Sequence, residues 1–169
     1  MELSVEAWLG QEDARTRDQI RTSRWMIEYV GGPVCAVPGC GGSKEHDGPP
    51  FAHTVGLHGM GHPELLVFGL GMESAQRLLN RFSHEVLEGR HFLAGERVDD
   101  PGDCRHHVVF EEIPNPQEIL FGANRFYRLP KAFSVDGLQV TYADCKGRFP
   151  WDEGCEYIDL QPRPGEYGA

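Results

Sequence analysis

Three histidines and one carboxylate lie close together in the run HTVGLHGMGHPE, the segment of the chain that is richest in reactive side chains. They are His53, His58, His62 and Glu64. Imidazole nitrogens and carboxylate oxygens are ligands that zinc and non-haem iron accept in proteins. In an extended stretch over residues 51–57, His53 points to one face and the even-numbered residues to the other. We therefore expect His58, His62 and Glu64 to converge without His53.

Three interpretations of this segment stay open. In the first, His62 and Glu64 are a catalytic pair at the mouth of a buried strand, with His58 as a ligand-binding group beside them. In the second, His58, His62 and Glu64 bind a metal ion. In the third, the segment is a turn between two strands, and His62 makes a structural hydrogen bond ahead of Pro63.

A second metal candidate is the pair Cys35 and Cys40, which stands with His46 in a loop rich in glycine and proline. A structural zinc site usually combines two closely spaced ligand pairs. Here the second pair is missing unless Cys145 and Cys155 approach from the tail of the chain. A redox-active thiol pair and two unreactive cysteines are the alternatives, because reactivity depends on a lowered thiol pKa.

Arg148 and Trp151 form a third candidate in the turn-rich tail. A guanidinium group can bind an anion through two parallel hydrogen bonds. Since Arg148 lies near Trp151 in the sequence, we expect both to contribute to a ligand-binding site.

The hydrophobic pattern predicts the elements that must position these groups. Apolar residues spaced as on one side of a helix predict a long amphipathic helix over residues 72–88. A helix is also predicted over residues 12–30, ended by Gly31, and a short one over residues 116–124. Strands are predicted over residues 51–57, 64–70 and 107–113, and Asp136-Gly137 predicts a hairpin whose second strand has one solvent-exposed face.

These elements predict one α+β domain over residues 1–169, with a mostly antiparallel sheet packed against an N-terminal helix and the long amphipathic helix. Residues 1–32 form the N-terminal helical segment of this arrangement. The chain of 169 residues is long enough to bury a core without cross-links.

Charge narrows the range of partners. The chain has 26 acidic and 16 basic residues and a formal net charge of -10, with 16 acidic and 9 basic residues after residue 84. Nucleic acids and anionic membranes are disfavoured, because both attract positive charge. The five cysteines are an odd number, and no apolar run reaches the ~18 residues of a membrane span. We expect a soluble cytoplasmic protein with reduced thiols.

The runs FAHTVGLHGMGHPELLVFGL, FLAGERV, LQVTYAD, GRFPW and LQP resemble the bacterial family named domain of unknown function 4262. They span residues 51–162, which would be the family-like core. The family pattern usually has tyrosine or phenylalanine at the position of His53 and a residue other than histidine at that of His58. The resemblance implies a soluble bacterial protein, often actinobacterial, and implies no activity.

Three functions therefore remain. The chain binds or modifies a small molecule or peptide near the GLHGMGHPE loop, or it is a metalloprotein, or it is a non-enzymatic interaction module whose acidic second half meets a basic protein. Haem and flavin stay open as cofactors, and the sequence predicts no oligomeric state.

Overall fold

The computed structural model describes residues 4–31, 48–99, 107–130 and 132–166, and their backbone forms a six-stranded mixed sheet with three α-helices. The α+β class that the sequence predicts is confirmed. Cys35, Cys40, His46 and Cys104 lie outside the described residues. The elements are α1 (Val5–Ser23), β1 (Met26–Val30), β2 (Phe51–Val55), β3 (Glu64–Phe68), α2 (Met72–Leu87), β4 (Arg97–Asp99), β5 (His107–Glu112), α3 (Phe121–Phe126) and β6 (Gly137–Tyr142).

The strands are ordered β1-β2-β3-β6-β5-β4 across the sheet. Strands β3 and β6 are parallel, and every other neighbouring pair is antiparallel. All residues of these two central strands are buried. Strand β3 is nearly all apolar, as a strand covered on both faces should be. Its one charged residue, Glu64, therefore stands in the middle of the sheet.

Helix α2 covers one face of the sheet. The predicted apolar stripe is confirmed, because its members Ala75, Leu78, Leu79, Phe82 and Val86 are all buried. They belong to one core cluster with side chains from the central strands, including Leu65, Val67, Leu138 and Val140. Burying each large apolar side chain contributes about 1.5–3 kcal/mol, so this interface holds the helix on the sheet.

Two separate layers cover the opposite face. Around α3, the side chains of Leu66 and Phe68 pack with Leu120 and Ala123. Nearer to the other edge, the segment that follows β6, which we call the tail (residues 143–166), buries Phe149 in a small cluster. Arg148 and Trp151 lie in the tail, whereas His62 contacts Phe92 of the core cluster on the α2 side.

The helix predicted over residues 12–30 is wrong in its extent. Helix α1 ends at Ser23, Arg24 adopts a left-handed conformation with φ 75°, and residues 26–30 form the edge strand β1. No residue of α1 is buried, whereas Ile27 packs against the core from β1. The apolar side chains of β1 are half-buried, and the segment is held in the sheet by pairing with β2 and is not part of an amphipathic helix.

The predicted hairpin at Asp136-Gly137 is also wrong. Gly137 begins β6, but residues 132–136 before it form no strand that could pair with β6, so no hairpin is made there. The predicted exposed face is covered by the tail. Gln139 Nε2 donates to the carbonyl of Pro162 at 2.9 Å, and Gln139 is only 1% exposed.

Gly56 provides a test of how closely β2 approaches the end of α1. Its φ is +130°, and an added Cβ would lie 2.5 Å from the Arg24 carbonyl oxygen. We expect Gly56→Ala to lower the free energy of unfolding by more than about 2 kcal/mol, because backbone strain adds to a clash with main chain. Urea unfolding measures this.

The matched control is Gly61→Ala. Gly61 also has a positive φ, +77°, but an added Cβ meets nothing within 4 Å. Gly61→Ala should therefore lower the free energy of unfolding by only about 1–2 kcal/mol, which is the strain of a left-handed residue that carries a side chain. Equal losses in the two variants would contradict the close approach.

Candidate functional site

The carboxylate of Glu64 is enclosed by hydrogen-bond donors. Glu64 is fully buried at the start of β3 and next to Gly137 of β6. Its two oxygens accept hydrogen bonds from Thr54 Oγ1 at 2.5 Å and from the backbone N–H groups of Gly56 at 2.9 Å, Leu57 at 3.2 Å and His58 at 3.1 Å. The carboxylate thus organises the chain that leaves β2.

Burial raises the pKa of Glu64, and the donors from Thr54, Gly56 and His58 oppose that rise by stabilising the charged form. The Thr54 hydroxyl in turn accepts a hydrogen bond from the Leu65 N–H at 2.9 Å. Every group around Glu64 is therefore engaged in holding β2, β3 and their connection together. These contacts give Glu64 a role in the scaffold.

His62 is held by main-chain groups on both sides of its ring. Nδ1 lies 2.6 Å from the Pro63 carbonyl oxygen, and Nε2 accepts a hydrogen bond from the Phe92 N–H at 3.0 Å. Because one nitrogen donates and the other accepts, the ring is neutral. Burial lowers the pKa of His62, which favours the same form. The predicted structural hydrogen bond of His62 ahead of Pro63 is present, with a second one to the loop after α2.

His58 lies on the outside of the same connection. Its side chain packs edge-on against the ring of Tyr127, with 4.7 Å between ring centroids. The Gly59 N–H donates to the Tyr127 hydroxyl at 3.0 Å. Burial raises the pKa of Tyr127 to about 12, so the phenol is neutral at physiological pH.

The structure does not bring His58, His62 and Glu64 together as a ligand set. The carboxylate oxygens of Glu64 accept hydrogen bonds from backbone amides, and both ring nitrogens of His62 are hydrogen-bonded to main-chain groups. His58 is exposed. Over residues 4–31, 48–99, 107–130 and 132–166, no group of three His, Cys, Asp or Glu side chains is arranged to hold a metal ion. The alternative pair Cys35 and Cys40 lies outside the described residues.

His53 has a partner that the sequence did not reveal. The imidazole is fully buried, and its Nε2 lies 3.1 Å from Glu28 Oε2 on β1. The alignment falls short of a hydrogen bond, so the contact is an ion pair. Nδ1 faces the Thr54 carbonyl oxygen at 3.1 Å. Because both nitrogens face acceptors, the geometry favours the imidazolium form.

Opposing effects decide the charge of this pair. Burial lowers the pKa of His53, but the contact with Glu28 outweighs it, so the net shift is upward. Burial raises the pKa of Glu28, and the contact with His53 reverses this, so the net shift is downward. The signal in the sequence was register: once residues 26–30 are a strand, Glu28 stands opposite His53.

In the tail, Asp144 forms a second carboxylate centre. Its buried side chain accepts hydrogen bonds from the N–H groups of Lys146, Arg148 and Glu156 and from Arg148 Nε, all at 2.9–3.0 Å. Burial alone would raise the pKa of Asp144, but these donors hold it well below its usual range. The Arg148 guanidinium is therefore bound to Asp144 and holds the turn in place.

Trp151, like His58, is a predicted ligand-binding residue that faces solvent. It is 43% exposed, and its ring stacks on the buried Phe149 with 4.7 Å between centroids and an angle of 3°. The Arg163 guanidinium lies over the Trp151 ring at 4.7 Å. That guanidinium also forms two hydrogen bonds to Glu111, at 2.6 and 3.0 Å.

An open groove of about 660 Å³ runs beside these residues. We call it the tail groove; its lining comprises Gly95, Val109, Phe110, Glu111, Glu112, Trp151, Arg163, Pro164 and Glu166. The volume is within the range of small-molecule sites, about 300–1,000 Å³. Of the predicted site residues, Trp151 lines this groove. Glu111, Glu112, Arg163 and Glu166 were missed, because each is an ordinary surface charge in the sequence and only the path of the tail joins them.

Comparison with known proteins identifies the family. A family model described as Domain of unknown function (DUF4262) matches residues 19–156, well over half of the chain. The chain belongs to the DUF4262 family. No curated protein matches it, and no solved structure matches it.

The DUF4262 match includes Glu64, His62, Asp144 and Trp151, and it ends before Arg163. It thus covers both carboxylate centres and only part of the tail groove. In the part of the chain that the structure describes, no helix combines the length and apolar character needed to cross a bilayer.

The Glu64 centre yields a stability prediction. In Glu64→Gln the amide NH2 group would face N–H donors, so we expect the free energy of unfolding to fall by about 2–4 kcal/mol. Urea unfolding measures the loss. The control Glu112→Gln changes an exposed carboxylate by the same atoms and should stay within about 0.5 kcal/mol of the wild type. A Glu64→Gln protein as stable as the wild type would show that the carboxylate is not the organiser of the loop.

The Glu28–His53 pair yields a pH prediction. A histidine whose pKa is raised stabilises the fold below its unfolded value of 6.5, and the gain disappears as pH rises through the folded value. A carboxylate whose pKa is lowered stabilises the fold above 4.5 and ceases to do so as pH falls through the folded value. The pair should therefore contribute most between pH 4.5 and 6.5.

Urea unfolding of the wild type and Glu28→Gln at pH 5.5 and pH 8.5 tests this. We expect the variant to be less stable at pH 5.5 by about 1 kcal/mol, because the His53 imidazolium loses its ion-pair partner, and the gap to narrow at pH 8.5. Glu73→Gln, whose side chain is 94% exposed on α2, is the control and should show no such pH dependence. A gap that widens with pH would contradict the charged pair.

Proposed function

We propose that this DUF4262 protein is a binding domain whose ligand, a small molecule or a peptide, occupies the tail groove. The observation that carries the proposal is the half-exposed indole of Trp151 on the wall of a 660 Å³ groove. Aromatic side chains with one solvent-facing surface are characteristic anchors of binding sites. The indole is held in place by Phe149, which stacks on it, and by the Arg163 guanidinium, which lies over the ring.

The location differs from the GLHGMGHPE loop that the sequence favours. There, the carboxylate of Glu64 and both nitrogens of His62 already have intramolecular partners. Redirecting them to a ligand would leave buried backbone amides without acceptors, which costs about 1–3 kcal/mol for each group. The tail groove requires no such exchange, because Trp151 and Glu112 are exposed before any ligand arrives.

Two-dimensional ¹H–¹⁵N NMR tests the proposal with three matched aromatic probes: benzamidine, benzyl alcohol and benzoate. We expect at least one of them to shift the Trp151 indole resonance together with amides of the groove lining. Trp151→Ala should weaken that binding about tenfold, as for a central aromatic contact. The matched control is Trp8→Ala on α1, which should leave the affinity unchanged.

Two NMR results would contradict binding at the tail groove. If no probe shifts the groove resonances, or if the shifts cluster around His58 and His62 instead, the tail groove is not the binding site. Trp151→Ala must also keep the wild-type pattern of amide shifts outside the tail, since the residue packs on Phe149 at the surface of the fold.

A further inference from the structure

We propose that the occupant of the tail groove is an extended, lysine- or arginine-bearing segment of a partner protein. This inference rests on the proposed function and adds the chemistry of the ligand. Three features of the groove support it: an open sheet edge, a surplus of carboxylates, and an internal arginine that already shows how a cation is held there.

The sheet edge follows from the pairing of β5. Phe110 directs both backbone groups towards the chain before β4, because its N–H donates to the Glu96 carbonyl at 3.0 Å and its carbonyl accepts from Gly95 at 2.7 Å. Backbone groups alternate in direction along an antiparallel strand, so those of Glu112 point to the same edge as those of Phe110. The pairing segment has turned away at Gly95. Glu112 therefore presents an N–H donor and a carbonyl acceptor at the groove, which is the edge that an extended peptide uses to add to a sheet.

The charge of the groove lining favours a peptide with basic side chains. Glu111, Glu112 and Glu166 line the groove, and the cation among the described lining residues is Arg163. Both carboxylate oxygens of Glu111 accept hydrogen bonds from Arg163, so this pair is neutral as a unit. Glu112 and Glu166 remain as negative charge on exposed side chains. A cationic ligand complements them, whereas an anionic ligand is repelled.

Arg163 also indicates how such a cation would be held. Its guanidinium lies over the indole of Trp151 at 4.7 Å while it binds a carboxylate of β5. A cation over an aromatic face and beside a carboxylate combines two attractive contacts. An incoming lysine or arginine would meet the exposed carboxylates of Glu112 and Glu166 in the lining of the groove. The net charge of -10 on the whole chain adds long-range attraction for a basic partner.

The test uses the full chain and an acetylated, amidated five-residue peptide in which lysine and valine alternate. NMR titration should shift the Trp151 indole and the Glu112 amide. Replacing the lysines of the peptide by glutamine should remove most of the affinity, and raising the salt concentration should weaken binding. Methylating the central backbone nitrogens of the peptide should also weaken it, because the sheet-edge hydrogen bonds are then lost.

Variants locate the contact. Glu112→Gln and Glu166→Gln should each weaken binding of the lysine peptide about two- to fivefold, as for an exposed ion pair. Glu73→Gln removes the same charge from the first turn of α2 and should leave the affinity unchanged. These three side chains are exposed, so none of the variants should alter the fold.

Each outcome has a distinct meaning. Equal binding of the lysine and glutamine peptides overturns the inference, and so does insensitivity to Glu112→Gln and Glu166→Gln. If the aromatic probes bind at Trp151 but no peptide does, the inference fails while the proposed function stands. If neither the probes nor the peptides shift groove resonances, both fail.

Discussion

The burial of one carboxylate at the centre of the sheet is the constraint on which the surrounding structure depends. Glu64 begins β3, which pairs on one side with β2 and on the other with β6. A charge in that position is costly unless donors surround it, and the connection after β2 supplies three amides that fold over it. The turn so formed presents His62 to the Phe92 N–H, and Phe92 packs on α2 through Phe82. One carboxylate thus links the sheet, the loop and the helical layer.

The same use of carboxylates recurs elsewhere and changes the meaning of the acidic composition. Asp144 organises the turn after β6, Glu28 neutralises the buried His53, and Glu111 ties the tail to β5 through Arg163. Part of the negative charge therefore works inside the protein as hydrogen-bond acceptor. Glu112 and Glu166 in the lining of the tail groove differ from these internal carboxylates, because both are exposed on the surface. Their charge is the part of the acidic composition that we propose attracts a partner.

The sequence predicted those parts of the fold that depend on local pattern. The stripe of α2 and the apolar run of β3 specify their own environment, so both elements were found. Strand β1 was missed because Ile27 and Val30, three residues apart, fit a helical period, and only pairing with β2 shows that the segment is extended. Gln139 and Thr141 look like one exposed face, but Gln139 bonds to Pro162 of the tail and Thr141 bonds to Glu111 of β5, and both contacts join residues far apart in sequence. The Glu28–His53 pair and the tail groove depend on the same long-range pairing.

The family match covers the two carboxylate centres and ends before one side of the tail groove. Residues 19–156 contain the Glu64 and Asp144 centres, whose donors are mostly backbone amides and whose effect is to hold turns in place. The far wall of the tail groove, with Arg163, Pro164 and Glu166, follows the matched range. The DUF4262 match therefore covers the residues of both carboxylate centres, but it covers the lining of the tail groove only in part. If the tail groove is the binding site as proposed, a substitution at Glu166 would change the charge that a ligand meets without touching the hydrogen bonds of Glu64, whose donors are Thr54, Gly56, Leu57 and His58.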